Sequence, residues 1–308
     1  MKKILTVILL LSFGISQAQN DTIWRNGGLF NFNFNQANFY QWAGGNNNSL
    51  ALNGLVSVFA KYKKGSWTWD NTGDFALGAI KQGEGGELIK SDDKIDINSK
   101  LGYDIGNKLY FSFLGGFKTQ FTEGFVFNQD GTRTRISNLL APAYALASIG
   151  IDYKPNPDFT FFLSPVTSRT LIVQDDALSQ AGAFGVTPGE TILSEFGAYM
   201  TTKYKKNLME NVLLSVRLDL FSNYLDNPQN VDVNMELLFA FKINKFLQAS
   251  ISSTMLYDDN TQVPVKMDNG DYRQGKGVQL KNVIGIGLAY KIQGFKVATN
   301  NGTSMLEW

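Results

Sequence analysis

The feature that most constrains this chain is an alternation of apolar and polar side chains with a period of two, which recurs from one end of the sequence to the other. Between residues 231 and 243 every second residue is apolar: Val231, Val233, Met235, Leu237, Phe239, Phe241 and Ile243. The residues between them include Asp232, Asn234, Glu236 and Lys242. Successive side chains of a β-strand point to opposite faces, so this pattern predicts a strand with one apolar and one polar face.

About twelve segments of the chain show this alternation. They lie near residues 28–36, 49–63, 66–82, 93–105, 109–121, 144–154, 158–168, 191–204, 211–223, 230–243, 246–257 and 278–292. Most are long enough to cross a bilayer as tilted strands, whereas strands of a secreted β-sandwich are typically near six residues. The sequence therefore predicts an all-β fold, a transmembrane antiparallel up-and-down β-barrel of about 12 strands, with a secreted sandwich as the structural alternative.

The connections between these segments alternate in length. Short turns are expected at residues 63–65, 106–108, 154–158, 205–210 and 244–245, and long connections at 83–92, 122–143, 169–190 and 258–277, with a shorter one at 224–229. Bacterial outer-membrane barrels have short periplasmic turns and longer outer loops. The order of the connections therefore predicts a periplasmic N-terminus for the barrel.

The two ends of the chain are expected to lie outside the barrel. Lys2 and Lys3 precede an apolar run over residues 4–15, and a small-residue pattern ends at Ala18, as in a cleaved secretory signal peptide. We therefore expect a signal peptide over 1–18, an outer-membrane barrel over 19–292 and a periplasmic tail over 293–308. Alternatively, Trp308 is a displaced form of the terminal aromatic that usually closes the last strand.

Composition excludes several classes of function. The sequence has no cysteine and no histidine, which removes disulfides, the usual zinc sites and His-based catalytic triads. The 28 Lys and Arg nearly balance the 27 Asp and Glu, so no net charge favours nucleic acid. We expect a protein that is not an enzyme and has no cofactor or metal, with outer-membrane lipid as its partner and other outer-membrane proteins as the open alternative.

The polar faces of the predicted strands supply the candidate lumen residues. These are Asp70, Asp74, Asp96, Lys100, Asp104, Lys118, Asp152, Glu195, Arg217, Asp219, Asp232 and Glu236. Further lysines of the same parity bring the two signs close to balance, whereas a strongly ion-selective pore has one sign dominant. Two interpretations stay open: a narrow channel for small polar solutes, and a non-conducting structural or accessory subunit whose interior is filled by ion pairs.

Two of the long connections carry unusual side chains. The connection at 122–143 holds more apolar residues than solvated loops usually show, and three roles stay open: an inward plug, packing within the loop, or docking of a partner. In the next long connection, the segment from Asp175 to Phe184 predicts one or two helical turns that end at Gly185.

Several short motifs resemble a group of uncharacterised outer-membrane barrels typical of the Bacteroidota, which is described only as a domain of unknown function. The motifs are Trp24-Arg25-Asn26-Gly27-Gly28, Gln41-Trp42-Ala43-Gly44-Gly45, LLAPAY at 139–144, Ile151-Asp152-Tyr153-Lys154, Leu163-Ser164-Pro165, AGAFGV at 181–186 and FSNY at 221–224. The resemblance extends over about residues 22–292. It implies an outer-membrane barrel and assigns no catalytic or ligand-binding residue.

Overall fold

Twelve antiparallel strands close into a single barrel in the computed structural model, which describes residues 23–37, 48–83, 86–127, 131–266 and 272–293. The barrel strands are β1 (Ile23–Ala37), β2 (Ser49–Lys64), β3 (Trp67–Gln82), β4 (Leu88–Gly106), β5 (Leu109–Thr119), β8 (Ala143–Asn156), β9 (Phe159–Ile172), β10 (Ile192–Met209), β11 (Val212–Asn223), β12 (Val231–Lys242), β13 (Leu247–Tyr257) and β16 (Gln279–Gln293). Each pairs with its neighbour along the chain, and β1 pairs with β16 to close the ring. The predicted barrel and its strand number are therefore confirmed.

Two short hairpins lie outside the barrel sheet, within connections that were predicted without strands. They are formed by β6 (Gly124–Phe127) with β7 (Arg133–Ser137), and by β14 (Val263–Lys266) with β15 (Tyr272–Gly275). Four or five residues are too few to show a clear alternation, which is why the sequence pattern missed them. The predicted signal peptide and all of the predicted tail except residue 293 lie outside the described residues.

The short turns lie at one end of the barrel, which we call the turn end, and the long connections lie at the other, the loop end. The turn between β4 and β5 illustrates why the predicted turns form. Asn107 and Lys108 have φ angles of 53° and 64°. Positive φ at both central residues defines the hairpin turn whose twist matches that of the flanking strands, and Asn is well suited to it.

The outer surface of the barrel is apolar and exposed. Large apolar side chains with more than a third of their surface exposed occur on nearly every barrel strand, for example Ile97 on β4, Phe113 on β5 and Leu163 on β9. Residues of opposite parity on the same strands, such as Asp96 on β4 and Ser164 on β9, are buried. The alternation read from the sequence thus separates an apolar exterior from a polar interior. No helix in the described part of the chain is long and apolar enough to cross a membrane.

Aromatic side chains cluster on the outer surface at the turn end. The ring centroids of Trp24 and Tyr62 are 5.2 Å apart, those of Trp24 and Trp69 are 6.0 Å apart, and those of Trp67 and Tyr103 are 5.0 Å apart. Such clusters are typical of the interface between the hydrocarbon core and the headgroups of a bilayer.

The connection between β9 and β10 folds back over the loop end of the barrel. It contains one turn of helix, α1 (Asp176–Gln180), as predicted, followed by a short 3-10 turn at Ala183–Gly185. Leu178 of α1 and the adjacent Val186 are buried together with Leu171 of β9. The hairpin β6–β7 is not packed onto the barrel in this way, because Val126 and Ile136 are each 48% exposed.

Candidate functional site: the barrel lumen

The interior of the barrel is crossed by ion pairs that radiate from one strand, β4. Asp92, Lys94, Asp96 and Lys100 share one parity on β4, and their charges alternate in sign. Each pairs with an opposite charge on a different strand: Lys281 of β16, Glu236 of β12, Arg217 of β11 and Asp152 of β8, respectively. A single strand therefore connects four other parts of the barrel wall through the lumen.

The pair between Lys94 and Glu236 spans the full width of the barrel. The Nζ of Lys94 lies 2.8 Å from Oε1 of Glu236, and their strands β4 and β12 are six places apart in the ring of twelve. The side chains keep 23% and 30% of their surface exposed. The bridge that crosses the lumen is therefore only partly buried, with space beside it large enough for water.

A second pair crosses the lumen beside the first. Nη1 of Arg217 lies 3.1 Å from Oδ2 of Asp96, and Nε of Arg217 lies 2.8 Å from Oδ2 of Asp219. Asp96 is nearly inaccessible and also accepts a hydrogen bond from Asn98 at 2.6 Å. The Tyr199 hydroxyl donates to Asp219 at 2.9 Å. These shared carboxylates tie β4, β10 and β11 together through hydrogen bonds whose donors are charged or buried.

Two further clusters of ion pairs lie at the two ends of the lumen. Toward the turn end, Lys154 lies 2.8 Å from Asp70 and 3.2 Å from Asp152. Toward the loop end, Arg169 contacts Glu195 and lies 2.6 Å from Asp232, with its guanidinium 4.0 Å from the centre of the Phe221 ring. Each of these cations thus has carboxylate partners within its own end of the lumen.

The remaining predicted lumen residues have more peripheral positions. Asp74 accepts a hydrogen bond from Ser57 at 2.5 Å. Lys118 lies 3.9 Å from Asp96, and its side chain is 35% exposed. Asp104 lies next to a short turn and accepts a hydrogen bond from the Gly106 amide at 2.8 Å. Any role of the twelve predicted residues in solute passage stays a prediction.

Three charged residues that the sequence analysis did not select are central to these networks. Lys94 lies one residue inside the predicted start of its strand, and Arg169 one residue beyond the predicted end of its strand. Asp92 was assigned to the preceding connection. Correct strand ends would have added Asp92, and Lys94 already had the parity of Asp96, but a β-bulge in β9 between Leu163 and Val166 changes the parity before Arg169 and hides it from the alternation.

The Lys94–Glu236 pair divides the ring into two sets of five strands that differ in their inner surfaces. On one side, large buried side chains from β5, β9, β10 and β11 pack together: Leu114, Phe162, Tyr199 and Phe221. On the other, the middle of β13, β16 and β1 presents small or uncharged residues: Ser250, Ser252, Gly285, Gly287, Asn31 and Asn33. One side of the lumen is therefore filled, and the other is lined by small side chains.

A chamber of about 380 Å³ lies in the lumen near the loop end. Tyr144, Leu146 and Phe221 contribute to its wall, and Phe184 from the connection between β9 and β10 also lines it. The ion-paired Asp96 and Arg217 line it as well. The volume is in the range of sites that hold small organic molecules.

The fold and the lumen together define the class of this protein. It is a closed antiparallel β-barrel with an apolar exterior and an ion-paired interior. A family model described as "Protein of unknown function (DUF3078)" matches residues 34–125, a shorter part of the chain than the motif resemblance covers. No curated protein matches the sequence.

Three solved structures match this chain at low similarity. The translocator domain of the autotransporter NalP from Neisseria meningitidis has a TM-score of 0.36 and 11% identity, over 94% of this chain and 93% of that chain. An outer membrane channel from Pseudomonas putida F1 has a TM-score of 0.38 and 10% identity, over 91% of this chain and 98% of that chain. The NanC porin has a TM-score of 0.33 and 10% identity, over 86% of this chain and 98% of that chain. At these values the similarity does not bear on function, and the fold assignment comes from the strand pairing of this chain.

Proposed function

We propose that this protein is a non-enzymatic channel of the bacterial outer membrane that admits small polar solutes through a narrow lumen. The observation that carries the proposal is the water-accessible ion pair between Lys94 and Glu236, which crosses the lumen between opposite strands. It makes the centre of the barrel both wet and narrow. An interior that served only as a packed core would exclude water at this level.

The exposed outer surface supports a location in a membrane. Soluble monomers rarely expose contiguous apolar patches larger than a few hundred Å², whereas here exposed apolar side chains occur on nearly every strand around the barrel. A closed barrel satisfies its backbone hydrogen bonds without water, which is a requirement for strands in hydrocarbon. The exposed aromatic cluster around Trp67 and Trp69 fits the position of a lipid headgroup region.

The small residues on one side of the lumen indicate the path of a solute. Gly285 and Gly287 on β16 lie against Asn33 of β1, whose side chain occupies the space that a larger residue at either position would take. The opposite side is occupied by Leu114, Phe162 and Phe221. A solute passing along β13, β16 and β1 would therefore meet the amide of Asn33 and the hydroxyl groups of Ser250 and Ser252, which would replace part of its hydration.

Conductance in planar bilayers tests the proposal. Replacing both partners, Lys94→Ala with Glu236→Ala, removes the bridge without leaving one buried charge unpaired. We expect small conductance steps for the natural protein and steps at least twofold larger for this double variant. The matched control is Lys276→Ala with Asp259→Ala, which removes an ion pair of 2.6 Å in an outer connection and should leave the steps unchanged.

The second candidate is a non-conducting barrel that supports a larger outer-membrane assembly. The ion pairs from β4 to four other strands favour it, because they brace the interior. If correctly folded natural protein and the double variant both give no conductance steps, the channel proposal is wrong and this alternative is favoured. Isolation in mild detergent would then be expected to return a complex larger than the monomer.

A further inference from the structure

The loop end of the lumen carries more negative than positive charge. Arg169 is surrounded there by Glu195, Asp232 and Asp258, so that one cation faces three carboxylates. Glu195 also accepts hydrogen bonds from the side-chain amides of Asn223 and Asn260 at 3.4 and 3.3 Å. The nearby Asp259 is already paired with Lys276 and does not contribute to this excess.

Asp258 is the carboxylate of this group that lacks a cationic partner. Among the described residues it forms no ion pair, and its Oδ1 accepts one hydrogen bond, from the backbone amide of Asn260 at 2.8 Å. Burial, followed by the negative charge of Asp232, raises the pKa of Asp258. A cation placed beside it would relieve both effects, since it would stabilise the charged form.

The carboxylate lines the chamber, whose other walls are largely apolar. Tyr144, Leu146 and Phe221 contribute apolar surface to the same chamber, and Phe184 adds a further ring. The cations that also line the chamber have carboxylate partners: Arg169 with Glu195 and Asp232, Arg217 with Asp96 and Asp219, and Lys118 with Asp96 at 3.9 Å. None of them forms an ion pair with Asp258, and the charge of Arg169 lowers the pKa of Asp258 by less than burial and Asp232 raise it.

The chamber wall also holds a hydrogen-bond acceptor without a partner. The side-chain amide of Asn234 donates to Asp219 at 3.2 Å, while its Oδ1 is buried and accepts no hydrogen bond. A buried acceptor left unsatisfied is unfavourable, so a donor group in the chamber would be stabilised there. Asn234 and Asp258 both line the chamber, and each would be stabilised by an N–H donor there.

From the excess of carboxylates, the unpaired Asp258 and the apolar walls, we propose that the chamber binds a small organic cation, an ammonium group joined to an aromatic or aliphatic body. The ammonium group binds beside Asp258, and the body packs against Tyr144, Leu146 and Phe221. Binding does not require the barrel to conduct, so the inference goes beyond the proposed channel function.

Binding of four probe molecules to the full-length protein in lipid nanodiscs tests this inference, with empty nanodiscs subtracted. The probes are 2-phenylethylammonium, the neutral 2-phenylethanol, the anionic phenylacetate and ethylammonium, which lacks the apolar body. We expect saturable binding of 2-phenylethylammonium at least tenfold tighter than that of the other three. Equal binding of the neutral or anionic probe, or no saturable binding, would overturn the inference.

Variants show whether binding occurs in the chamber. Asp258→Asn keeps the shape and removes the charge, and should weaken binding of the cationic probe about tenfold. The matched control is Asp226→Asn, in the exposed connection between β11 and β12, which should leave binding unchanged. Leu146→Trp, which fills the chamber, should abolish binding of all the aromatic probes.

The outcomes separate this inference from the proposed function. Cation binding that is identical in natural protein and in Asp258→Asn overturns the chamber site and leaves the channel proposal untouched. Binding that depends on Asp258 in a barrel without conductance steps overturns the channel and retains the chamber. Heat-dependent gel mobility establishes that each variant is folded before its binding is compared.

Discussion

At the scale of single residues, the closure of the barrel depends on a position that accepts only glycine. A Cβ built on Gly287 would lie 2.1 Å from the backbone oxygen of Phe32 and 2.5 Å from Oδ1 of Asn33, on the strand that closes the ring. Backbone cannot move aside without separating β1 from β16. The glycine is therefore required by the close approach of the first and last strands.

Gly287→Ala is expected to destabilise the folded barrel. Overpacking of a well-packed site typically costs about 1–3 kcal/mol. The measurement is the temperature at which the folded form is lost in a heat-modifiability gel. Gly54→Ala is the control, because a Cβ there would meet only the Leu77 carbonyl oxygen at 3.8 Å, an ordinary contact. An equal loss for both variants would contradict this account.

At the scale of elements, the charges of β4 connect the barrel wall through the lumen, whereas α1 depends on its neighbours for its own stability. The inward charges of β4 alternate in sign, so neighbouring residues of that face attract partners from different strands and avoid repelling one another. α1 is too short to be stable alone and is held by its contacts. Asp175 accepts a hydrogen bond from the Leu178 amide as the N-cap, and from Asn138 at 2.9 Å.

Asp175→Ala is expected to free α1 while the barrel remains folded. Loss of an N-cap typically costs about 1 kcal/mol, and the variant also loses the Arg135 ion pair of 2.9 Å. Hydrogen exchange of the amides of residues 176–180 should accelerate severalfold. Asp176→Ala, the neighbouring acid in the first turn, is the control and should have little effect.

The same contact predicts a dependence on pH. Hydrogen bonding from Asn138, with the contacts to Leu178 and Arg135, lowers the pKa of Asp175. A carboxyl group whose pKa is lowered by folding contributes its full stability at pH values above its pKa in the unfolded chain, about 3.9. That contribution is lost as the pH falls through the lower pKa of the folded protein. Protection of α1 should therefore decrease under acidic conditions, and in Asp175→Ala it should no longer change over that range.

At the scale of the whole molecule, the barrel is a boundary between an apolar exterior and a charged interior. Its outer face is apolar and exposed, so we expect its stability to depend on hydrocarbon around it. The interior is held by ion pairs that connect opposite strands through the lumen. The two environments explain why the same strands need both kinds of side chain.

A charge on the outer face should therefore be poorly tolerated. Phe113→Arg, in the middle of β5, is expected to lower barrel stability in vesicles by about 2–4 kcal/mol if that position is near the bilayer midplane. Phe127→Arg makes the same exchange on the exposed hairpin of the outer connection and should be nearly neutral. Denaturant unfolding in lipid vesicles compares the two. Equal tolerance would mean that the exterior does not face lipid.

Much of the fold could be predicted from the sequence, because alternation is a local property of each strand. The predicted segment at 109–121 became β5 (Leu109–Thr119), and the segment at 246–257 became β13 (Leu247–Tyr257). The short hairpins in the outer connections could not be predicted, since β6 and β14 have only four residues each. The site was predicted as a set of inward charges, without their partners.

By itself, the sequence determined which side chains point inward, how many strands there are and the order in which turns and loops alternate. All three follow from the period of two and from the composition of the turns. Only the tertiary structure decided that Lys94 meets Glu236 and that Arg217 meets Asp96, and that a chamber remains beside them. Those contacts join residues more than a hundred positions apart, and they arise only when the ring closes and brings opposite walls within reach of each other's side chains.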